Sequence, residues 1–167
     1  GLGDVYKRQP EDWTVISNGP VSWEGDVAST AIDYPLSTYL VALCPGPYHE
    51  VTDTWRGELT AHPEGKPAQK LEVPLGIYCR ASLAHALDAE RLFTETKQGF
   101  DFYHRNFGFP YPFGKYDQIF VPEFNAGAME NAGCVTIRDE YVFTSQATHY
   151  KYCLLYTSPS PRDRTRS

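Results

Sequence analysis

The segment from Val121 to Gly133 has the residue types best suited to binding or catalysis. Its letters are VPEFNAGAMENAG, so Glu130 stands among small residues at 126–128 and 132–133. Small side chains let a second backbone approach closely, as an exposed strand edge must if it is to hold an extended peptide through main-chain hydrogen bonds. A carboxylate beside such an edge can pair with the charged amine at the end of a bound chain. On residue types alone, a glycine- and alanine-rich turn with a solvated glutamate stays open as the alternative.

Several other catalytic motifs are missing from the sequence. No two of the five histidines are four residues apart, so there is no HExxH zinc signature. A Gly-x-Ser-x-Gly elbow, a Gly-x-Gly-x-x-Gly loop and a Walker loop are also absent. Serine hydrolases and nucleotide-binding proteins therefore lose their main sequence support.

Composition and charge narrow the class of protein further. The chain has 167 residues, 41% of them hydrophobic, and a net charge of −6, which argues against a nucleic-acid or membrane partner. No apolar run approaches the ~20 residues of a membrane span. Cys44, Cys79 and Cys134 are widely spaced, and a fourth cysteine, Cys153, lies near the C-terminus. This spacing disfavours a disulfide framework and fits a reducing compartment, so we expect a cytoplasmic protein.

The two ends of the chain do not resemble the rest. Residues 1–9 and 153–161 can be encoded by DNA segments that are reverse complements of each other, as are the adapter ends of transposon-based sequencing libraries. Segments of this kind are excluded from fold reasoning. We therefore expect 1–9 and 153–167 to be adapter-like artefacts. Met129 is the only methionine, so the sequence as given also lacks an initiator, and we expect a piece of a longer protein.

The elements that position the 121–133 segment begin with a β-rich half, from residue 10 to residue 73. Trp13–Ser17 is β-branched and aromatic and ends at a turn, which predicts a strand. Leu36–Leu43 is apolar on both faces and predicts a central buried strand. Residues 51–59 alternate loosely, and the polar residues 62–67 predict a surface turn.

The second half predicts a helix followed by strands. Residues 88–107 have helical period, with Asp88 as the N-cap and Gly108 as the C-terminal stop. Residues 116–121 and 134–137 have strand patterns. This order indicates an α/β or α+β unit, of which we predict α+β. The change of character near residue 74 suggests a boundary between two partial domains.

Aromatic residues are concentrated between positions 100 and 113. We expect them to pack in the core and in the connector after the helix, because a stacking surface for bases would also require positive charge. Tyr103 and Phe107 share the helical stripe of Phe100 and are expected on the buried face. His104 is expected to be a surface or half-buried residue and not a metal ligand.

Residues 127–131 have the sequence GAMEN, which resembles the motif of that name in the aminopeptidase N family of zinc metallopeptidases. The flanking sequence from 111 to 136 is similar to bacterial, actinobacterial-type members. Residues 36–40 and 46–48 resemble the end of that family's N-terminal β domain. The resemblance covers essentially all of residues 10–152.

The resemblance implies an architecture of two incomplete domains. Residues 10–73 would be the C-terminal part of an N-terminal β-sandwich or saddle domain, and 74–152 the N-terminal part of a thermolysin-like peptidase domain. Both would be truncated, and the overall class would be α+β.

The resemblance also implies a substrate-binding role for the motif. Gly127 and Ala128 would offer backbone groups to the peptide, and Glu130 would bind its free α-amino group. That ion pair would make the full-length parent an aminopeptidase acting on peptides with a free N-terminus.

The neighbouring positions receive supporting roles from the same resemblance. Ala126 and Met129 would lie near the pocket for the first side chain of the substrate, and Asn131 would help to hold the loop. Ordinary apolar packing of Met129 stays open as an alternative.

The family's zinc site is the main departure. Its HExxH helix would fall at about residues 155–165, where this sequence is adapter-like, so neither the two histidine ligands nor the general base is present. We therefore expect a zinc-dependent parent but no metal ligand, no catalytic residue and no activity in this chain. A non-catalytic peptide-binding module from a family member lacking zinc is the alternative. A structural domain unrelated to peptidases is the third class.

Overall fold

The computed structural model describes residues 13–59 and 68–144, together with the backbone pairing of residues 7 and 8. The elements, in chain order, are β1 (Lys7–Arg8), β2 (Thr14–Ser17), β3 (Val21–Glu24), β4 (Val27–Thr30), β5 (Leu43–Gly46), β6 (Tyr48–Leu59), β7 (Gln69–Arg80), α1 (Ala89–Phe107), β8 (Tyr116–Val121), β9 (Ala128–Met129) and β10 (Cys134–Arg138). Short 3₁₀ turns lie at Thr38–Leu40, Ala81–Ala86 and Asp139–Tyr141. Within the described residues, strands and one long helix together confirm the α+β class.

The central feature is a five-stranded mixed sheet with the order β6-β7-β8-β10-β9. β6 and β7 form an antiparallel pair over their full length, and β7, β8 and β10 run parallel to one another. A parallel pair needs a crossover connection, and α1 lies in the connection between β7 and β8. β9 pairs antiparallel with β10 and is the last strand of the sheet.

Two smaller β elements come from the N-terminal part. β2 pairs antiparallel with β5, and β4 lies between β1 and β3. The two-residue turn between β3 and β4 begins at Gly25, whose φ of 59° favours glycine. The predicted strand at Trp13–Ser17 is thus confirmed as β2.

Helix α1 begins and ends where the sequence predicts. The Asp88 carboxylate accepts a hydrogen bond from the Arg91 amide (3.2 Å), as an N-cap should. At the other end Gly108 has a φ of 62°, and its amide bonds to the His104 carbonyl, which is an αL cap. The sequence signals for both ends are therefore confirmed.

The buried side of α1 differs from the predicted stripe. Phe93, Phe100 and His104 are buried, whereas Tyr103 and Phe107 are 61% and 65% exposed. Trp55 on β6 stacks on His104 and contacts Phe100 with a tilted ring, and these contacts determine which side of α1 faces the sheet. The expectation that His104 is at the surface or half-buried was wrong, since only 6% of the residue is exposed.

The predicted buried strand at Leu36–Leu43 was also wrong. Residues 38–40 form a 3₁₀ turn and only Leu43 enters a strand, while Tyr39 is 63% exposed. The physical reason is that the Asn18 side chain forms the backbone hydrogen bonds that a neighbouring strand would otherwise form with this segment. The Asn18 amide group donates to the Leu40 carbonyl (2.9 Å) and accepts from the Ala42 amide (2.7 Å).

The expected boundary at residues 73 and 74 lies inside β7, which continues without interruption from 69 to 80. β6 and β7 therefore share a sheet with the later strands. The division into two partial domains stays a prediction, as does the adapter-like nature of the ends. The surface turn at 62–67 and the segment 145–167 lie outside the described residues. In the part of the chain that the structure describes, no helix is long and apolar enough to span a bilayer.

Candidate functional site

The GAMEN segment lies at the open edge of the five-stranded sheet. Ala128 and Met129 form β9, whose partner among the described residues is β10. Glu130 follows the strand directly and its side chain is exposed, as is Ala126 on the other side of the strand. Met129 is half-buried. The structure thus places residues 126–130 at one strand edge, whereas Asn131 is buried in the turn that follows.

The hydrogen-bond pattern of β9 shows which backbone groups face outward. The Arg138 amide donates to the Gly127 carbonyl (3.0 Å), so residues 127 and 138 are a hydrogen-bonded pair. Hydrogen-bonded and non-hydrogen-bonded pairs alternate along an antiparallel ladder. Ala128, which is opposite Ile137, is therefore in a non-hydrogen-bonded pair, and its amide and carbonyl point away from β10. Of the two residues expected to offer backbone groups, Ala128 has both groups directed to the open edge.

A tight turn joins β9 to β10. The Cys134 amide donates to the Asn131 carbonyl (3.0 Å), and Gly133 has a φ of 71°, the combination typical of a type II turn. The Asn131 side chain is buried and accepts a hydrogen bond from the Thr136 hydroxyl (2.8 Å). Asn131 therefore fixes the turn that follows Glu130.

Asn18 holds this turn from outside the sheet. It follows β2, is only 4% exposed, and donates to the Ala132 carbonyl (2.8 Å) in addition to its bonds with residues 40 and 42. A Cβ on Gly133 would lie 2.5 Å from the Asn18 carbonyl oxygen, so only glycine fits there without movement. The N-terminal segment and the GAMEN turn are thus packed backbone to backbone.

Lys115 is the second anchor of the turn. Its ammonium donates to the carbonyls of Ser17 (2.6 Å) and Gly133 (3.2 Å) and forms a short ion pair with the Asp117 carboxylate. Both side chains of the ion pair are largely buried. Burial raises the pKa of Asp117, and the nearby Lys115 ammonium offsets part of that rise. The Lys115 ammonium is therefore occupied by contacts within the fold.

Comparison with known proteins adds to this geometry. The family model described as "Peptidase family M1 domain" matches residues 92–153. Aminopeptidase N from Streptomyces lividans is 51% identical over 146 residues, which is 87% of this chain and 16% of that protein. Glutamyl aminopeptidase from Sus scrofa is 33% identical over 136 residues, which is 78% of this chain and 13% of the relative.

The chain belongs to the aminopeptidase N family of M1 peptidases. It spans about a sixth or less of the length of the curated relatives named above. The resemblance inferred from the GAMEN segment and its flanks is thus confirmed at the level of the family.

Zinc is expected for an M1 peptidase, but the described residues do not fit it. Across 13–59 and 68–144, no three histidine, cysteine, aspartate or glutamate side chains are grouped so as to hold a metal ion. His104 is engaged within the core: its Nδ1 bonds to the Phe100 carbonyl (2.6 Å), and its Nε2 accepts from the Tyr111 amide (3.1 Å).

Sequence reasoning missed Asn18 and Lys115. Asn18 has only a local turn signal, and nothing in the sequence points to its partner Ala132, 114 positions away. Lys115 had a usable signal, because residues two apart at a strand start share a face, which places Lys115 beside Asp117. In this M1 chain both residues position the turn after Glu130 without being exposed at the strand edge.

Proposed function

We propose that residues 126–131 form the wall of an aminopeptidase substrate cleft that holds the N-terminal end of a peptide. The observation that supports this most directly is β9, an edge strand whose Ala128 backbone groups face outward and which ends at the exposed Glu130. An extended peptide can add to such an edge through main-chain hydrogen bonds. Its N-terminal ammonium would then lie beside the Glu130 carboxylate.

The Glu130 carboxylate would set where a bound chain must begin. A charge-assisted hydrogen bond is stronger than a neutral one and requires a free amine, which an internal peptide segment lacks. Asn131, Asn18 and Lys115 would keep the carboxylate in place by fixing the turn that follows it. Ala126 and Met129 would border the first side chain of the peptide.

For the full-length protein we propose zinc-dependent removal of N-terminal residues from peptides in the cytoplasm, with the zinc held by residues outside the described ones. The names of the relatives support this activity, since they are an aminopeptidase N and a glutamyl aminopeptidase. The 167-residue chain alone is expected to show no chelator-sensitive cleavage of aminoacyl-arylamide substrates. Such cleavage would contradict the placement of zinc elsewhere.

The amine-binding role can be tested on the chain itself. Isotope-labelled protein is titrated with a short peptide and with its N-acetylated counterpart, and amide shifts at residues 128–130 are followed by NMR. Acetylation should weaken binding about tenfold or more, because a hydrogen bond to a charged group contributes about 1.5–3 kcal/mol. Glu130→Gln should remove this difference.

Glu123→Gln is the matched control, because Glu123 is an exposed carboxylate in the connection that leads into β9, whereas Glu130 follows β9. It should leave the preference for a free amine unchanged. Equal binding of the two peptides to the unmodified chain would contradict the proposal. In the full-length protein, Glu130→Ala should lower kcat/KM by a factor equivalent to ~3 kcal/mol or more if the ion pair is desolvated. A near-normal kcat/KM would exclude the anchor role.

A further inference from the structure

Two thiols from distant parts of the chain meet on the side of the sheet opposite α1. Cys44 lies on β5 and Cys134 on β10. Ile16 is paired with Cys44 in the β2–β5 ladder and belongs to the same buried cluster as Cys134, against which Cys44 packs. Directly paired residues of an antiparallel ladder share a face, so the Cys44 side chain lies on the face of Ile16 and against the cluster that contains Cys134. Both are free thiols.

The two thiols differ in access and in acidity. Cys44 is partly exposed, whereas Cys134 is fully buried. Interaction with the neighbouring Cys134 thiol, opposed by burial and helped by the Lys115 ammonium, lowers the pKa of Cys44. Interaction with Cys44 and burial raise the pKa of Cys134. Redox-sensing cysteines combine these features: an accessible thiol of lowered pKa next to a second thiol that can resolve it.

We propose that Cys44 and Cys134 form a peroxide-sensitive dithiol that closes to a disulfide bond between β5 and β10. This goes beyond peptide binding at β9, because it assigns a modification site to the contact between β5 and β10, the strand that pairs with β9. The oxidant class is a hydroperoxide, with hydrogen peroxide as the simplest case.

The reaction has two balanced steps. The Cys44 thiolate attacks one peroxide oxygen, an S–O bond forms, the O–O bond breaks, and the hydroxide released takes a proton to become water. The Cys134 sulfur then attacks the Cys44 sulfenic acid, the S–S bond forms, the S–O bond breaks, and hydroxide leaves as water with the Cys134 proton. The two sulfurs lose two electrons in total, and the peroxide is reduced to two waters.

The location gives the bond a consequence for the turn after Glu130. The Cys134 amide closes that turn on the Asn131 carbonyl, and the turn is otherwise held by hydrogen bonds from Asn18 and Lys115. A disulfide would add a covalent link between the β2–β5 ladder and the neighbour of β9. Oxidation should therefore raise the midpoint of thermal unfolding.

The test is peptide mapping of the full chain in a Cys153→Ser background, in which three cysteines remain. The protein is treated with hydrogen peroxide, blocked with an alkylating reagent, digested without reduction and analysed by mass spectrometry. The expected product is one cross-linked peptide pair containing Cys44 and Cys134, which a reductant removes. In the reduced protein the same reagent should label Cys44 before Cys79 and Cys134.

Cys79→Ser is the matched control. Cys79 is buried on the helix-covered side of the sheet, where burial raises its thiol pKa. This variant should keep the cross-link, whereas Cys44→Ser and Cys134→Ser should lose it. Because the main readout uses the chain with all three cysteines, it does not depend on the folding of any variant at these positions. Oxidation of Cys44 to sulfinic acid without a cross-link, or a link from Cys44 to Cys79, would overturn the proposal.

Discussion

The two faces of the five-stranded sheet are held by different kinds of interaction. The face covered by α1 is a continuous apolar core, in which Trp55, Leu75, Ile77, Phe100 and Phe120 pack together. The opposite face has a smaller apolar cluster and a set of buried polar groups that join the N-terminal segment to the GAMEN turn. The helix-covered face therefore gains stability from area, whereas the opposite face depends on a few hydrogen bonds that fix one geometry.

The difference matters for function because the site lies at the edge of this same sheet. The apolar face can tolerate hydrophobic exchange of similar volume. The polar face cannot lose one partner without leaving another buried group unsatisfied. The position of Glu130 is thus set by the less redundant of the two faces.

The largest effect is expected on the helix-covered face. Phe100→Ala should lower the free energy of unfolding by about 3–5 kcal/mol, because Phe100 is buried against Trp55, Tyr111 and Tyr116. Phe102→Ala, on the same helix but 57% exposed, should change it by less than about 0.5 kcal/mol. Urea unfolding of both variants measures the difference. Similar losses in the two variants would contradict the observed orientation of α1.

On the polar face, Asn18→Ala should lower the free energy of unfolding by about 2–3 kcal/mol, because the buried Ala132 carbonyl and Ala42 amide lose their partner. Asn106→Ala is the matched control, since the Asn106 side chain bonds to the Phe102 carbonyl on the exposed side of α1. Its effect should stay within about 0.5 kcal/mol. Hydrogen exchange at the Cys134 amide should accelerate only in Asn18→Ala. An equal effect of the two substitutions would show that the buried hydrogen bonds of Asn18 contribute no more to stability than the exposed bond of Asn106.

The close approach at Gly133 gives a smaller, local effect. Gly133→Ala and Gly25→Ala both place a side chain at positive φ, which costs each about 1–2 kcal/mol. Only Gly133 faces a backbone atom, the Asn18 carbonyl oxygen, whereas a Cβ on Gly25 meets nothing within 4 Å. Gly133→Ala should therefore lose about 1–2 kcal/mol more than Gly25→Ala in the same unfolding experiment. Equal losses would mean that the Asn18 backbone moves away from the new side chain at no cost in stability.

The same contrast explains what the sequence could predict. Strands β8 and β10 and helix α1 were predicted within one residue at each end, because their periodicity and caps are local signals. The family and the GAMEN segment were recognised from contiguous residues. The edge position suggested by the small residues agrees with β9, although its binding role stays a prediction.

What the sequence could not show depends on contacts between distant residues. Leu36–Leu43 has the composition of a buried strand, but the Asn18 side chain occupies the backbone groups that a neighbouring strand would pair. The side of α1 that faces the sheet depends on Trp55, which is 45 positions before Phe100. Neither contact leaves a periodic signal in the sequence. The thiol pair on β5 and β10 is invisible for the same reason.

The smallest predicted effect concerns pH and has opposite signs on the two faces. Asp53, which bonds to Lys97 of α1 (2.5 Å), has a lowered pKa because of that ammonium and the Thr54 amide. Its contribution to stability is present above its ordinary pKa of 3.8 and is lost as the pH falls through the lowered value. Burial raises the pKa of Asp117, so its contribution is present below 3.8 and is lost as the pH rises through the raised value.

Substitution of each aspartate by asparagine should therefore change the acid limb of the stability curve in opposite directions. Asp53→Asn should make the fall in stability between about pH 6 and pH 2.5 shallower, and Asp117→Asn should make it steeper. Slopes are compared and not absolute stabilities, because Asp117→Asn also removes the partner of Lys115 at every pH. The Asp53 effect should be the weaker of the two, since that side chain is 37% exposed and its ion pair is screened by solvent. A change of slope with the same sign in both variants would show that the buried Lys115 ammonium, and not burial, determines the direction of the Asp117 pKa shift.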